Sequence, residues 1–134
     1  MNSEGQRVEP EDPLYPQLPP YQAVSADGDV FFRFSSFPDD RRILPDGSVA
    51  PRSYATSATD KQVVPNGLAA VGRYALPSRI SARYCFRITP EPGTTIFYGT
   101  VTPNWGLAGG GVEVYFPDGT SVGTVTTCEA VPEK

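Results

Sequence analysis

The chain contains no histidine and only two cysteines, Cys85 and Cys128. Without an imidazole base, no Ser or Cys triad of the usual kind can operate. There is no C-x-x-C pair either, so a zinc site is not expected and no metal ligands are assigned. The two cysteines read as small buried apolar residues in preference to a Cys85–Cys128 disulfide. No run of about 18 or more apolar residues occurs, so no transmembrane helix and no membrane partner are expected. The N-terminus shows no basic start followed by an apolar stretch, so no Sec-type signal is expected there. Basic residues are in deficit: Lys+Arg 11 against Asp+Glu 15, net charge -4. Nucleic-acid platforms bind by neutralising phosphates with Lys and Arg, so nucleic acid is not an expected partner. A local cationic pocket for a phosphorylated small molecule is still compatible with that balance.

What is present fits one domain of 134 residues, long enough to bury a core without staples. Residues 1–24 read as a proline-rich linker or tail, polar and acidic, punctuated by Pro10, Pro13, Pro16, Pro19 and Pro20. The domain itself spans 25–134. Its first strand is aromatic, Val30 to Ser35, and Ser53 to Ser57 is a second. Between them, Asp39-Asp40-Arg41-Arg42 reads as a solvated loop. Pro65-Asn66-Gly67 signals a turn, Leu68 to Tyr74 one or two helical turns, and Pro77 their end. Ala82 to Ile88 and Thr94 to Val101 read as strands. Gly111 to Phe116, Pro117-Asp118-Gly119 and Thr120 to Thr127 read as a hairpin. The expected class is therefore α+β, mostly β, with about six strands and little helix.

Three consecutive glycines, Gly109 to Gly111, precede the strand that carries Glu113. Glycine is costly in a strand unless the backbone bends or a ligand approaches closely. Alternation alone puts Glu113 on the solvent face of a hairpin, whereas Gly99, Gly106 and the triplet gathered around Trp105 suggest a pocket. Arg33 lies among Phe31, Phe32 and Phe34, and a half-buried arginine needs an anionic partner. Arg33 and Arg73 each read either as part of an internal salt bridge or as a clamp for a pyrophosphate, which suits a planar guanidinium. Ser53, Thr56 and Ser57 form a hydroxyl cluster on the second strand.

In their order, these residues resemble the tuberculosis necrotizing toxin family of NAD glycohydrolases. That family carries an Arg-Ala-Leu-Pro-Pro element, a strand, a proline-flanked loop with an aromatic and glycines, then Gly-Gly-Gly-Thr-Gln. Here they read Arg73-Tyr74-Ala75-Leu76-Pro77, Arg83 to Ile88, Val101-Thr102-Pro103-Asn104-Trp105-Gly106, and Gly109-Gly110-Gly111-Val112-Glu113. The match spans Gly72 to Phe116, about a third of the chain. Upstream, Phe32-Arg33-Phe34 and Tyr54-Ala55-Thr56-Ser57 look like the arginine and hydroxyl strands of ADP-ribosyltransferase-like folds. The chain departs from the pattern in four ways: glutamate stands for the family's glutamine, its central-strand histidine has no counterpart, Tyr74 is inserted after Arg73, and the loop between Arg33 and Tyr54 is longer than expected.

The resemblance implies a small ADP-ribosyltransferase-like fold of two packed sheets and a toxin domain that hydrolyses NAD or NADP. It implies Glu113, Arg33 and Arg73 as catalytic residues. Tyr54, Thr56, Ser57, Phe34, Trp105, Gly110 and Gly111 are implied as substrate-binding residues. NAD(P) is then the substrate and no cofactor is needed. The leaving nicotinamide is neutral and needs no proton, so the missing histidine is no obstacle. Many transferases carry Glu or Gln at the place of Gly111, so glycine there favours water as acceptor. An NAD-consuming domain also implies a cognate immunity protein and a delivery module or larger parent. Such a domain would be secreted or injected and act in the target-cell cytoplasm. Two other readings stay open: a transferase that modifies a macromolecule, and a non-enzymatic β-rich interaction domain.

Overall fold

The computed structural model describes residues 21–74, 82–101 and 109–132. Its elements run β1 (Tyr21–Val24), β2 (Phe31–Ser35), β3 (Ser53–Ser57), α1 (Ala58–Lys61), α2 (Gly67–Arg73), β4 (Tyr84–Ile88), β5 (Thr95–Thr100), β6 (Val112–Phe116) and β7 (Val125–Ala130). The mostly β, α+β class expected from the sequence holds. Among the described residues the strands number seven and form one antiparallel sheet, in the order β1-β5-β6-β3-β2-β4-β7, in place of six strands in two separate sheets.

That sheet is strongly curled, and the reason lies in β2. Successive side chains of a strand point to opposite faces. Phe31 faces one core, with Val49, Ile88, Ile96, Val114 and Phe116. Phe34 faces the other, with Tyr54, Val71, Tyr74 and Cys85, and Phe32 packs against the same cluster. The Phe31 ring lies 6.4 Å from that of Tyr98 on β5 and 5.7 Å from that of Phe116 on β6. In a flat sheet β2 and β5 would stand roughly 14 Å apart. The two halves of the sheet therefore fold towards each other over the Phe31 core, which achieves the packing expected of two sheets.

The expected hairpin at Pro117-Asp118-Gly119 does not form. β6 sits between β5 and β3, while β7 pairs with β4 at the far end of the sheet. The turn is real, but the chain beyond it is captured by the loop before β3. Val49 N–H donates to Thr120 Oγ1 at 2.8 Å, and Thr120 N–H donates back to Val49 O at 3.1 Å. The consequence for Glu113 is large: its strand is central, with a neighbour on each side.

Two boundaries also shift. Tyr21–Val24, read from sequence as the end of the linker, forms the edge strand β1 along β5. The Pro65-Asn66-Gly67 signal is the start of α2, where Asn66 Oδ1 caps the helix by accepting the Ala69 N–H at 2.8 Å. Gly67 is glycine for a steric reason, since a Cβ there would collide with the Ala82 carbonyl. Cys85 is buried and Cys128 is exposed, and both are free thiols. Cys85 registers with Glu129 and Phe86 with Cys128, so the two cysteines point to opposite faces of the sheet. Burial pushes the Cys85 thiol up to about 12, which leaves it protonated and inert at neutral pH. Among the described residues no helix is long and apolar enough to cross a membrane.

Candidate active site

The pairing between β2 and β3 is brief. Only Phe31↔Ser57 and Phe32↔Thr56 are in register, and the strands part beyond them. The gap is spanned by Arg33, whose Nη1 donates to Tyr54 O at 2.8 Å. Where the strands part, a cleft opens, with walls from Phe32 to Phe34, Tyr54 to Thr56, Val112 and Glu113, closed at one side by Tyr74 and Val101. The cleft thus opens where the ladder between β2 and β3 is interrupted.

Glu113 is 2% exposed, so it is not a solvent-facing strand residue. Across β5 its partner is Gly99, which presents no side chain against it. It shares a face with Tyr115, and the Tyr54 and Tyr115 rings lie 4.8 Å apart beside it. A carboxyl this buried is expensive to keep as a structural ornament.

Arg33 lines the cleft, but its guanidinium is already engaged. Nε and Nη2 donate to the two Asp40 oxygens at 3.0 and 3.3 Å, in addition to the bond to Tyr54 O. Of the two readings open for it, the internal salt bridge is the one formed. Its side chain is 13% exposed and that of Asp40 8%, so the pair is largely out of water. Asp40 is therefore no member of a solvated loop, as the sequence suggested. Burial works to raise the Asp40 carboxyl, but Arg33 and the Arg42 N–H outweigh it and hold the carboxyl below its ordinary value.

Arg73 also has a carboxylate. Its Nε and Nη2 donate to Asp60 at 3.0 and 2.6 Å, while the side chain stays 37% exposed. Tyr74 stacks on Phe34 with ring centroids 5.5 Å apart and donates its hydroxyl to Asp60 at 2.8 Å. Burial, then the bond to Asp60, raises the Tyr74 phenol well above its usual value. Asp60 itself is lowered, because hydrogen bonds from Arg73 and Tyr74 outweigh its burial.

The glycine run ends at this same corner. Gly109 N–H donates to Gly72 O at 2.9 Å, and Gly111 N–H to Arg73 O at 3.1 Å. The last carbonyls of a helix have no partner within it, and here the glycine run supplies them. Gly109 and Gly110 take positive φ of 70° and 94°. Gly111 does not, and its need is steric: a Cβ would lie 2.5 Å from Tyr74 Cε1 and 2.9 Å from Arg73 Cγ.

The fold thus gathers Glu113, Arg33, Phe34, Tyr54 and Thr56 on one cleft, with Gly110, Gly111 and Arg73 at its edge. Ser57 stands apart as the cap of α1, its Oγ accepting the Asp60 N–H at 3.1 Å. Trp105 lies outside the described residues. Asp40 and Asp60 were missed from sequence. The Ser57-x-x-Asp60 spacing, a capping-box pattern, was a usable signal for the second.

Both carboxylates tie pH to stability. Each titrates below the ordinary 3.8 when folded. Their stabilisation is complete above that value and is lost as pH falls through the lowered folded values. The melting temperature is expected to fall steeply below about pH 4. Asp40→Asn should cost about 1.5 kcal/mol at pH 7 and make that acid slope shallower in a pH series of melts.

No protein family and no curated protein matches the chain by sequence. In fold, a curled antiparallel sheet, it is similar to a solved domain. That domain is Tne2, solved in complex with Tni2, with a TM-score of 0.63. The likeness covers 87% of this chain and 95% of that one at 13% identity. The chain has a Tne2-like fold.

Proposed function

We propose that the chain is a toxin domain that hydrolyses NAD or NADP at the bond between nicotinamide and ribose. The observation that carries this reading is Glu113. It is buried at 2% on a central strand, in the wall of a cleft that also holds Arg33, Tyr54 and Thr56. Glu113 ends the motif order by which the chain resembles the NAD glycohydrolases, and Arg33, Tyr54 and Thr56 lie on the strands that look like the arginine and hydroxyl strands of ADP-ribosyltransferase-like folds.

The aromatic and hydroxyl lining of the cleft suits the nicotinamide riboside end of the dinucleotide. Breaking the C1′–N bond sends its electron pair to the pyridinium nitrogen, so nicotinamide leaves neutral. Positive charge builds on the ribose C1′ and ring oxygen, as in glycoside hydrolysis. A Glu113 carboxylate in a site shielded from water stabilises that charge and accepts hydrogen bonds from ribose hydroxyls. Water then adds to C1′ and releases a proton, giving ADP-ribose. The phenyl and phenol rings of Phe34, Tyr54 and Tyr74 supply apolar faces for nicotinamide. Arg33, held by Asp40 and Tyr54 O, serves this site by bracing the open edge of β3. Arg73, more than a third exposed, is the better placed of the two arginines for a phosphate.

Hydrolysis is preferred over transfer because Tyr74 and Arg73 pack on Gly111 and leave no room for an acceptor-activating side chain there. A toxin of this kind needs a cognate immunity protein, and the complex of Tne2 with Tni2 supports a protein partner here. The proposed setting is delivery by a larger parent or secretion module into the target-cell cytoplasm. Incubation with NAD and separately with NADP, followed by chromatography, is expected to yield nicotinamide with ADP-ribose or its phosphate in equal amounts. Both dinucleotides surviving intact would overturn the reading.

A further inference from the structure

Asp60 has no part in the sequence argument, yet four elements meet on it. Its side chain is 6% exposed. Its oxygens accept from Arg73 at the end of α2 by two bonds and from the Tyr74 hydroxyl at 2.8 Å. Thr56 of β3 places its hydroxyl 3.5 Å from Asp60 Oδ2 while donating to Val112 O at 2.7 Å. The Val112 backbone amide on β6, one residue before Glu113, helps hold the Asp60 carboxyl below its ordinary value. Asp60 itself sits at the third position of α1, where Ser57 accepts its N–H.

A group this enclosed does not meet substrate. What it can do is aim the groups that do. The pair with Arg73 is bidentate along the Nε–Nη2 edge, which uses only part of the guanidinium's fork of donors. The Arg73 side chain is 37% exposed, and its Cγ packs beside Gly111, which precedes Glu113 by two residues. A free arginine at such a rim would sample many rotamers, and one fixed by a carboxylate presents its remaining donors in one direction. We infer that Asp60 is a positioning residue: it holds Arg73 at the rim of the cleft to receive the diphosphate of the dinucleotide, and fixes Tyr74 and β6 around Glu113. The inference rests on the NAD-hydrolase reading and deepens it. It assigns the diphosphate to Arg73 and not to Arg33, whose three bonded nitrogens face Asp40 and Tyr54 O.

The test compares wild type, Arg73→Gln, Asp60→Asn and the double variant in NAD hydrolysis, with a melt of each. Arg73→Gln changes a partly exposed side chain and should stay folded. It is expected to raise KM roughly tenfold and change kcat by less than about threefold, since a charge-assisted bond to phosphate is lost. Asp60→Asn should raise KM in the same way, and the double variant should be no worse than the worse single one, because both remove one interaction. An unchanged KM for Arg73→Gln overturns the inference, whether or not Asp60→Asn folds. So does an Asp60→Asn protein with a lowered melting temperature and wild-type KM, or two effects that multiply. If wild type itself releases no nicotinamide, the hydrolase reading falls and this inference with it. If wild type turns over and Arg73→Gln is normal, only the inference falls.

Discussion

Glu113→Gln is expected to lower kcat for NAD hydrolysis by about a thousandfold, with KM and fold nearly unchanged, even though glutamine stands here in the family the chain resembles, because that family also carries a central-strand histidine and this chain has none. The two side chains have the same shape, so the packing of β6 between β5 and β3 is kept. What is removed is one negative charge. In a site where the residue is 2% exposed, that charge acts through little water. Removing a single preorganised electrostatic group from an active site costs roughly 10²–10³ in kcat, and in the proposed mechanism Glu113 is the main group facing the developing cation. Stability should move the other way or not at all, since a neutral amide is cheaper to bury than a carboxylate. Full activity in a folded Glu113→Gln protein would remove Glu113 from the mechanism.

Gly111→Ala is expected to damage both stability and turnover. Two effects compete. Alanine restricts the unfolded chain, which on its own stabilises by about 0.4–1 kcal/mol. Against this, the new methyl would sit 2.5 and 2.7 Å from Tyr74 ring carbons and 2.9 Å from Arg73 Cγ. Such contacts are cheap only if the neighbour can move. Tyr74 is 4% exposed, stacked on Phe34 and bonded to Asp60, so it cannot swing away without breaking that network. Overpacking wins, at about 2–3 kcal/mol, visible as a lower urea midpoint. Activity should fall further than stability, because the side chains displaced are those around the cleft. Adding Tyr74→Ala makes room for the methyl, so the double variant should unfold no earlier than Tyr74→Ala alone.

The strands were largely legible from sequence where composition is aromatic or β-branched. β2, β4 and β5 fall within a residue or two of their expected bounds. What failed was partner choice. Pro117-Asp118-Gly119 is good turn chemistry, and a turn is local, but the pairing of β7 with β4 is decided by distant contacts such as Val49 with Thr120. That same error hid the burial of Glu113, since a hairpin edge and a central strand have the same alternation. The carboxylates behind the two arginines were illegible for a related reason. Asp40 and Asp60 stand 7 and 13 residues from their partners, and no periodicity links such positions. Glu113, Tyr54 and Thr56 were singled out as candidates because the motif order, read as a resemblance, brought together residues that periodicity treats as separate strands.

The central claim is that water, not a macromolecule, takes the ADP-ribose at the Glu113 cleft. Turnover of NAD in water enriched with oxygen-18, analysed by mass spectrometry, tests it most directly. The expected result is free ADP-ribose carrying one heavy oxygen at the ribose C1′ for each nicotinamide released. Nicotinamide released with ADP-ribose attached to protein, or no nicotinamide at all, would contradict it.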